Sequence, residues 1–377
     1  MSLFSRQAAL TLNRVRSLAA EPGVKRKIVQ ANRELIRADT VLFFSEPPTQ
    51  IYQLQVWLAP FERLVEAGHR VGVVVMNALT ADALLQMTTL PIFFSRSIEQ
   101  VEQRLRTAQT QAICYVNNAQ ANFTMLRFNG PRHIHLNHGE SEKSSMVSNQ
   151  LKAYDQVAVA GPAAVERIAA TINGFDLNKL ELIGRPQLDA VRPRARTGVV
   201  RVLYAPTWEG DSQAMAYSSL LTQGQSILQQ LAAEARIELR FRPHPKTGST
   251  STAMAKLLAN LQRSYGQHFD SVADPAQSLA ESDVVICDIS AMAYDALALN
   301  VPLLLHGSEP SELTRRLPQA QQLRDTENLG QRVLELAERG SAAQEPLAAY
   351  FFATTTPTEA TARLGQLVQG SSESPGN

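Results

Sequence analysis

Short, nearly uninterrupted apolar runs recur along this chain, and segments with helical spacing separate them. Residues 70–76 form one such β-branched run, and residues 56–67 before it place their apolar side chains at helical spacing. A strand that is apolar on both faces belongs in a parallel sheet with helices packed on each side. The other predicted strands span residues 41–44, 92–94, 112–116, 133–136, 156–160, 199–204, 237–241, 284–287 and 302–305. The pattern therefore predicts an α/β fold with parallel sheets.

The alternation is broken by a basic, proline-containing segment over residues 185–197. A chain of 377 residues is too long for one ordinary core and suits two α/β domains. We therefore predict two doubly wound domains, the second with helices over residues 223–234 and 291–299. In chain order, the predicted parts are a basic helical segment (1–39), the first domain (40–184), a linker (185–197), the second domain (198–341), closing helices that pack back on the first domain (342–370) and a disordered tail (371–377).

The first 40 residues carry eight Lys and Arg against three Asp and Glu, with Leu and Phe among them. Two interpretations are open: a helix that rests on an anionic membrane surface, or a solvated basic helix packed on the first domain. The formal net charge of the whole chain is only +1, which excludes a general nucleic-acid binder. Any highly charged partner must therefore be bound by local groups.

Cysteine usage and hydropathy predict a cytoplasmic protein. Both cysteines, Cys114 and Cys287, lie in apolar runs and are expected to be buried thiols in a reducing compartment. No apolar run approaches the roughly 20 residues that span a bilayer, and no secretory signal precedes the first domain. There is also no pair of His or Cys at zinc spacing and no glycine-rich nucleotide motif. The sequence therefore predicts no metal and no nicotinamide cofactor.

A polar loop, residues 137–145, follows a predicted strand and contains a histidine, two carboxylates and a lysine. Open parallel sheets bind ligands beyond the carboxyl ends of their strands, so this loop is a candidate site. Gly139 leaves backbone room beside His138, and Glu140 or Glu142 is expected to orient the ring as a base. A structural histidine is the alternative.

A second histidine, His244, lies between two prolines at the exit of the predicted strand at 237–241. Arg242 and Lys246 flank it with positive charge, which suits a diphosphate whose charge must be stabilised as a bond breaks. The alternative is a structural histidine bonded to a neighbouring carbonyl. The remaining histidines have no comparable cluster of charged or polar residues around them, and we assign them no function: His69, His133, His135, His268 and His306.

The exits of two further strands complete the predicted site. Thr207 follows one of them, and Asp288 and Ser290 follow the other as N-caps of the next helix. A helix N-terminus attracts phosphate, although a plain cap is the alternative. Asp295 lies seven residues beyond Asp288, about two helical turns, so both are expected to face one side. A carboxylate there can accept a ribose hydroxyl.

Taken in order, these loops resemble the CDP-glycerol glycerophosphotransferase family, the teichoic-acid polymerases and primases. The resemblance covers most of residues 130–310. Its motifs are His138-Gly139, Gly184-x-Pro186-x-x-Asp189, Tyr204-Ala205-Pro206-Thr207-Trp208, Arg242-Pro243-His244-Pro245, and Asp288-x-Ser290 with Asp295. Each motif is short, but five of them in the right order are fairly specific.

The resemblance implies a GT-B-like fold of two facing Rossmann-like doubly wound domains with a cleft between them. It implies transfer of glycerol phosphate from CDP-glycerol to a hydroxyl, with release of CMP and with the nucleotide bound by the C-terminal domain. His138 and His244 are the implied catalytic residues. His138 would accept the proton of the attacking hydroxyl, and His244 would stabilise the phosphates. The implied substrate-binding residues are Gly139, Glu140, Lys143, Thr207, Arg242, Asp288, Ser290 and Asp295.

Three departures from the family pattern bear on the substrates. The usual Trp-His-Gly-Thr-Pro-Leu-Lys is Asn-His-Gly-Glu-Ser-Glu-Lys over residues 137–143, which changes the acceptor wall. Paired serines become Ser290-Ala291, and Glu209 replaces a residue that is often basic. The polyol of the CDP donor therefore stays open, as does the choice between a polyol-phosphate and a glycan-lipid acceptor.

Two other functions remain possible from the sequence. The first is a GT-B nucleotide-sugar glycosyltransferase, or a UDP-GlcNAc 2-epimerase-like enzyme, because a shared fold does not fix function. The second is a non-catalytic nucleotide-binding scaffold in a complex that makes cell-wall or capsule polymers. The interpretation that we carry forward is a cytoplasmic transferase, with possible peripheral contact at the inner face of an anionic membrane and no nucleic-acid partner.

Overall fold

A computed structural model describes residues 3–140, 142, 147–191, 194, 198–210, 218–307 and 311–370, with side chains from residue 16 onward. These residues form two compact units. The first comprises the described residues of Met1–His138, Ser144–Gln187 and Thr358–Asn377, and the second those of Gly139–Lys143 and Leu188–Pro357. The chain thus leaves the first unit twice and returns to it near its end. The predicted tail, residues 371–377, and part of the predicted linker lie outside the described residues.

The described part of the first unit contains a seven-stranded parallel sheet with the order β3-β2-β1-β4-β5-β6-β7. Its strands are β1 (Thr40–Phe44), β2 (Val71–Val75), β3 (Ile92–Phe94), β4 (Ala112–Tyr115), β5 (Arg132–His135), β6 (Gln156–Val159) and β7 (Leu180–Leu182). Up to Gln187, its helices are α1 (Leu3–Gln30), α2 (Tyr52–Glu66), α3 (Ala78–Met87), α4 (Ile98–Thr107), α5 (Gln120–Met125) and α6 (Pro162–Thr171). The order reverses between β1 and β4, as in doubly wound folds.

Strand β1 shows why the strands are apolar throughout. Leu42 and Phe44 belong to the core on one face of the sheet, whereas Val41 and Phe43 belong to the core on the other. Both faces are therefore covered, and no position on the strand faces water. Helix α1 joins the first of these cores through Val24 and Ile28, and the Oγ of Ser17 accepts a hydrogen bond from Ala78 N at the start of α3 (3.1 Å).

The described part of the second unit contains a five-stranded parallel sheet with the order β12-β11-β10-β8-β9. Its strands are β8 (Val200–Ala205), β9 (Ile237–Phe241), β10 (Val284–Asp288), β11 (Leu303–His306) and β12 (Gln322–Leu323). Its helices are α7 (Ser219–Thr222), α8 (Gly224–Ala233), α9 (Thr252–Tyr265), α10 (Pro275–Ala280), α11 (Ala291–Ala298), α12 (Glu312–Arg316), α13 (Leu329–Arg339) and α14 (Glu345–Phe351). Here the order reverses between β8 and β10, which is where such sheets bind ligands.

The α/β class and every predicted strand are confirmed. Strands β7 and β12 went unpredicted because they are very short edge strands with polar residues and lack an apolar run. The two closing helices do not both pack on the first unit, which corrects the expectation for residues 342–370. Phe351 of α14 packs edge-to-face on Tyr294 in the second unit (5.1 Å between ring centroids), whereas α15 (Glu359–Gln369) buries Leu364 in the first.

Both cysteines are buried free thiols, as predicted, and burial raises the pKa of Cys114 to about 12. The Cys114 thiol therefore stays protonated at physiological pH. Within the described residues, no helix combines the length and the apolar character that a membrane-spanning segment requires.

Candidate functional site

His138 follows β5 in the first unit, three residues beyond the strand. Asn137 turns the chain there with a φ of 59°, a left-handed conformation that asparagine tolerates better than most residues. Its side-chain Oδ1 accepts a hydrogen bond from His138 N at 2.8 Å. Trp57 of α2 donates from Nε1 to the Asn137 carbonyl at 2.5 Å. A buried aromatic side chain and a local turn therefore place the His138 backbone.

The ring of His138 is oriented by a main-chain carbonyl. Nδ1 lies 3.1 Å from Val116 O, just beyond β4, and the ring of Tyr52 meets the imidazole edge-to-face at 6.0 Å. A carbonyl oxygen can only accept a hydrogen bond, so the proton of the neutral ring resides on Nδ1. Nε2 then carries the lone pair, which is the form that a general base needs.

Beneath this loop lies His135, the last residue of β5. Burial lowers its pKa to about 3, with a smaller contribution from His138. The ring stacks on Tyr154 at 4.9 Å, and neither nitrogen has a hydrogen-bond partner in the described part of the chain. His135 is therefore neutral at physiological pH and places no positive charge under His138.

The acidic residues of the predicted loop have other positions than expected. Both Glu142 carboxylate oxygens accept backbone hydrogen bonds at the start of α12, from Glu312 N (2.7 Å) and Leu313 N (3.2 Å). Glu142 thus caps a helix of the second unit, and the expectation that Glu140 or Glu142 orients the His138 ring stays a prediction. Glu140 is buried, with 5% of its surface exposed. Lys143 lies outside the described residues.

Gly139 lies within the second unit. A Cβ atom added there would lie 3.4 Å from the Cβ of Ala291, at the start of α11. The contact would be ordinary van der Waals packing. The glycine leaves space beside Ala291, but a small side chain would also fit there. The neighbouring residues His138 and Gly139 therefore belong to different units of the chain.

His244 lies in the second unit, in the loop between β9 and α9. Its Nδ1 accepts a hydrogen bond from Lys246 N at 3.1 Å, so Nδ1 carries the lone pair and the proton of the neutral ring is on Nε2. The indole of Trp208 stacks on the imidazole at 6.1 Å, and the Lys246 ammonium lies 5.1 Å above the Trp208 ring. The loop thus combines an N–H donor with a nearby positive charge.

Glu209, next to Trp208, holds the same loop from the β8 side. Its carboxylate accepts hydrogen bonds from Gly248 N (2.9 Å), from Thr250 N (3.0 Å) and Oγ1 (3.1 Å), and from Ser251 N (3.1 Å). Burial acts to raise the pKa of Glu209, but the backbone hydrogen bonds from Gly248 and Thr250 outweigh it, and the pKa lies below its usual range. The sequence marked Glu209 only as a departure from a family pattern, yet it anchors the loop that carries His244.

Arg242 does not point where the sequence suggested. Its guanidinium donates to Asp270 Oδ2 (2.8 Å), to the carbonyls of Val272 (2.6 Å) and Ala273 (3.1 Å), and to Ser278 Oγ (3.0 Å). The charge is paired with Asp270, whose side chain is 1% exposed. The expectation that Arg242 faces the phosphates is therefore corrected: Arg242 holds the segment before α10.

Asp288 also bonds other parts of the protein. It is fully buried, and its carboxylate accepts hydrogen bonds from Thr207 N (2.7 Å) and Ser219 N (3.0 Å). Thr207 is itself 3% exposed, so Asp288 fixes the loop after β8 from within. Because Asp288 ends β10 and α11 begins only at Ala291, the helical spacing predicted between Asp288 and Asp295 does not apply. Asp295 alone lies on the helix, half-buried.

Ser290 is the N-cap residue of α11, as predicted, but its side chain does not make the expected capping bond. Its Oγ is buried and has no hydrogen-bond partner among the residues that the structure describes. A buried hydroxyl usually has a partner, because leaving it unpaired costs about 1–3 kcal/mol. Ser290 therefore offers a donor at a helix N-terminus, where anions bind.

Comparison with protein-family models matches residues 94–314, 221 of the 377 residues, to the family described as CDP-glycerol:poly(glycerophosphate) glycerophosphotransferase. The chain belongs to this family. His138, Asp189, Thr207, His244 and Ser290, one from each motif that carried the resemblance, lie within the matched region. Comparison with curated protein sequences gives no match.

Solved structures with a similar fold include proteins with several different activities. The wall teichoic acid polymerase TagF, in a crystal soaked with CDPG, is 12% identical with a TM-score of 0.55, over 98% of this chain and 98% of that one. S. aureus MnaA, in a co-structure with UDP, is 13% identical with a TM-score of 0.56, over 88% and 96%. A glycosyltransferase from Rickettsia africae is 10% identical with a TM-score of 0.50, over 89% and 100%. At these identities the likeness establishes the fold, and the predicted GT-B-like class is confirmed.

Proposed function

We propose that this glycerophosphotransferase family member moves glycerol phosphate, or a similar polyol phosphate, from a CDP-activated donor to a hydroxyl of a teichoic-acid-like or capsule polymer, releasing CMP. The observation that carries the proposal is the pair of opposite histidine tautomers. His138 presents a lone pair on Nε2, as a base requires, and His244 presents an N–H on Nε2, as a phosphate ligand requires.

The proposed step conserves protons and charge. The acceptor hydroxyl attacks the phosphorus that carries the glycerol, and its proton passes to Nε2 of His138. The bond from that phosphorus to the bridging oxygen breaks, and the electron pair remains on CMP. His244, the Lys246 charge and Ser290 at the α11 N-terminus stabilise the phosphate oxygens as negative charge moves onto the leaving group.

Asp288 and Arg242 contribute indirectly to this step. Asp288 fixes the backbone of Thr207, and Arg242 fixes the segment that begins at Asp270. Asp295 of α11 stays a candidate partner for a ribose hydroxyl, and Gly139 and Glu140 stay candidates for the acceptor side. No metal is needed for this chemistry, because side-chain cations and a helix terminus can balance the phosphate charge.

The direct experiment is turnover of purified protein with CDP-glycerol, CDP-ribitol or UDP-GlcNAc, measuring CMP and UDP. We expect CMP from a CDP-polyol in the presence of a polyol-phosphate or glycan-lipid acceptor. UDP release from UDP-GlcNAc, or its epimerisation, would favour the nucleotide-sugar alternative, which MnaA with UDP keeps open at the level of fold. Nucleotide binding without turnover of any donor would favour the scaffold.

We also propose that the protein is cytoplasmic and contacts an anionic membrane surface through α1. On the exposed side of this helix, Leu18 and Val29 are 51% and 55% exposed, and Arg16, Lys25 and Arg26 lie among them. Apolar and basic side chains on one helix suit the interface of an anionic bilayer.

Charge reversal tests this contact better than deletion, since α1 also contributes Val24 and Ile28 to the core. Arg16→Glu with Arg26→Glu should lower binding to phosphatidylserine vesicles about tenfold or more at low salt, since each basic residue contributes about 1 kcal/mol. The difference should shrink as salt is added. The matched control is Lys256→Glu with Arg263→Glu, two exposed positions on α9. Equal losses in both variants would indicate nonspecific attraction.

A further inference from the structure

A third histidine lies at the ligand-binding edge of the second sheet, where the sequence assigned it no role. His306 ends β11 and is the register partner of Asp288 at the end of β10. Nδ1 of His306 lies 3.1 Å from Asp288 Oδ1, although the angle between them is too bent for a full hydrogen bond. The Asp288 side chain is fully buried, whereas that of His306 is 19% exposed.

The buried carboxylate determines which ring nitrogen carries the proton. Asp288 is held by Thr207 N and Ser219 N, so it cannot turn away from the ring. At 3.1 Å a carboxylate oxygen attracts a hydrogen on Nδ1 even at a bent angle and repels a lone pair there, and Nδ1 therefore carries hydrogen. Nδ1 is also buried, so the exposed part of the ring is the opposite edge, which contains Nε2. Nothing in the described part of the chain forms a hydrogen bond with that edge.

The surroundings of His306 favour a fixed orientation. A Cβ atom at Gly307 would come within 2.8 Å of Ile289 Cδ1, so the chain after His306 passes tightly against the segment that joins β10 to α11. That segment also contains Ser290, whose buried Oγ has no partner among the described residues. His306 and Ser290 therefore follow neighbouring parallel strands at the edge where such sheets bind ligands.

We propose that His306 is a further phosphate-binding residue of the donor site, with Asp288 as its positioning residue. The proposal rests on the proposed function and names the part of the donor involved: the phosphate that leaves as CMP. When the bond to the bridging oxygen breaks, the electron pair stays on CMP. In the proposed complex the phosphate on one side of the ring and the Asp288 carboxylate on the other together favour hydrogen on both ring nitrogens, so Nε2–H donates to a phosphate oxygen. No proton has to leave His306, and the buried carboxylate balances the charge of the ring.

Two amide substitutions separate this role from a purely structural one. In His306→Asn the amide nitrogen replaces Nδ1 and keeps the contact with Asp288, but Nε2 is lost. His306→Gln places its amide nitrogen near the Nε2 position. We expect His306→Asn to weaken CMP binding by about 10- to 100-fold, the effect of one charge-assisted hydrogen bond, and His306→Gln to retain most of the affinity. Calorimetry with CMP measures both, and His268→Asn, outside the site, should bind CMP normally.

A spectroscopic measurement reports on the ring without any turnover. In protein labelled with ¹⁵N-histidine, the seven histidines give resolved Nδ1 and Nε2 signals, and His306→Asn assigns the signals of His306. We expect the His306 Nδ1 to carry hydrogen in the free protein, and CMP to shift Nε2 strongly. An Nε2 signal that CMP, UDP and inorganic phosphate all leave unchanged would overturn the proposal. Equal loss of affinity in the Asn and Gln variants, with a lower melting temperature in both, would also overturn it and show a structural role.

The failure of the proposed function gives a different result. If the wild-type protein binds UDP and not CMP, the CDP-donor function is wrong, and the same variants are titrated with UDP. Weaker UDP binding by His306→Asn alone would retain His306 as a phosphate ligand for another nucleotide. Unchanged UDP binding by that variant would overturn both inferences.

Discussion

His138 and His244 both follow parallel strands and are both held at Nδ1, but Nδ1 donates a hydrogen bond in His138 and accepts one in His244. His138 donates from Nδ1 to a main-chain carbonyl and meets the ring of Tyr52, and the indole N–H of Trp57 bonds the carbonyl of the residue before it. His244 accepts at Nδ1 from a main-chain N–H, among the charged groups of Lys246 and Glu209. A carbonyl acceptor at Nδ1 leaves a basic lone pair on Nε2, whereas an N–H donor at Nδ1 beside a cation leaves an Nε2–H that suits an anionic ligand. The comparison teaches that the two roles can be assigned from local contacts alone.

Replacing each histidine with alanine is the strongest test of the two assigned roles. His138→Ala should lose transfer by roughly 10² to 10⁴, the usual range for a positioned base, while its affinity for the CDP donor stays near that of wild type. His244→Ala should lose transfer and also bind the donor more weakly, because a hydrogen bond to its phosphates is removed. Calorimetry measures the donor affinity, and CMP release is measured in samples quenched at successive times. Together the two measurements separate the effects.

Two results would contradict the assignment of roles. Near-normal transfer by His138→Ala would remove the base from the mechanism. Weak donor binding in His138→Ala together with normal binding in His244→Ala would reverse the two roles. His69→Ala, a histidine outside both loops, serves as the matched control and should leave transfer and binding unchanged.

The charged framework around His244 predicts a large effect on stability from a residue that the ligand does not touch. In Arg242→Ala the carboxylate of Asp270, 1% exposed, loses its cation, and breaking a buried pair in this way costs about 3 kcal/mol. The melting temperature of the second unit should fall by several degrees. Arg242→Ala combined with Asp270→Asn should recover part of the loss, because no buried charge is then left unpaired. If the double variant is no more stable than the single one, the ion pair is not the cause.

The sequence identified the strands and both histidine loops, because apolar runs and the polar segments after them are local features. It failed where a side chain has its partner far along the chain. Glu142 caps a helix 170 residues later, Asp288 is bonded to Thr207 81 residues earlier, and Arg242 pairs with Asp270 28 residues on. Charge and spacing in the sequence suggested ligand contacts for Asp288 and Arg242, and a contact with the His138 ring for Glu142. Only the packing of separate loops shows that other parts of the protein already use these groups.

Substitution of Glu209 tests the charged groups around His244 with a smaller expected effect. Glu209→Ala removes the acceptor of four hydrogen bonds to the His244 loop, and we expect kcat/KM to fall about tenfold, the equivalent of roughly one net hydrogen bond. Glu209→Gln keeps one oxygen acceptor and should lose less. The KM for the donor should change more than the KM for the acceptor, because the loop belongs to the second unit. Equal changes in both would show a general loss of structure instead.

The pH dependence of stability gives the sign of the Glu209 effect. The pKa of Glu209 is lower in the folded protein than its usual value near 4.5, so the folded state prefers the carboxylate. This contribution is fully present above the unfolded pKa and is lost as the pH falls through the lower folded pKa. The melting temperatures of wild type and Glu209→Gln should therefore differ at pH 7 and converge in acid, near and below pH 4. A difference that persists undiminished at pH 3 would exclude the carboxylate charge as its source.

The smallest expected effect concerns the hydrogen bond that places the His138 backbone. Trp57→Phe removes only the Nε1 hydrogen bond to the Asn137 carbonyl and keeps most of the buried aromatic volume. Loss of one neutral hydrogen bond is worth about 1 kcal/mol, so transfer should fall by about fivefold or less, with donor affinity unchanged. Phe61→Leu, a buried neighbour of Trp57 on α2 whose side chain has no polar group to bond the loop, controls for packing. If Trp57→Phe lowers donor affinity while Phe61→Leu does not, the loop of His138 takes part in donor binding, and the separation of the two regions by role is wrong.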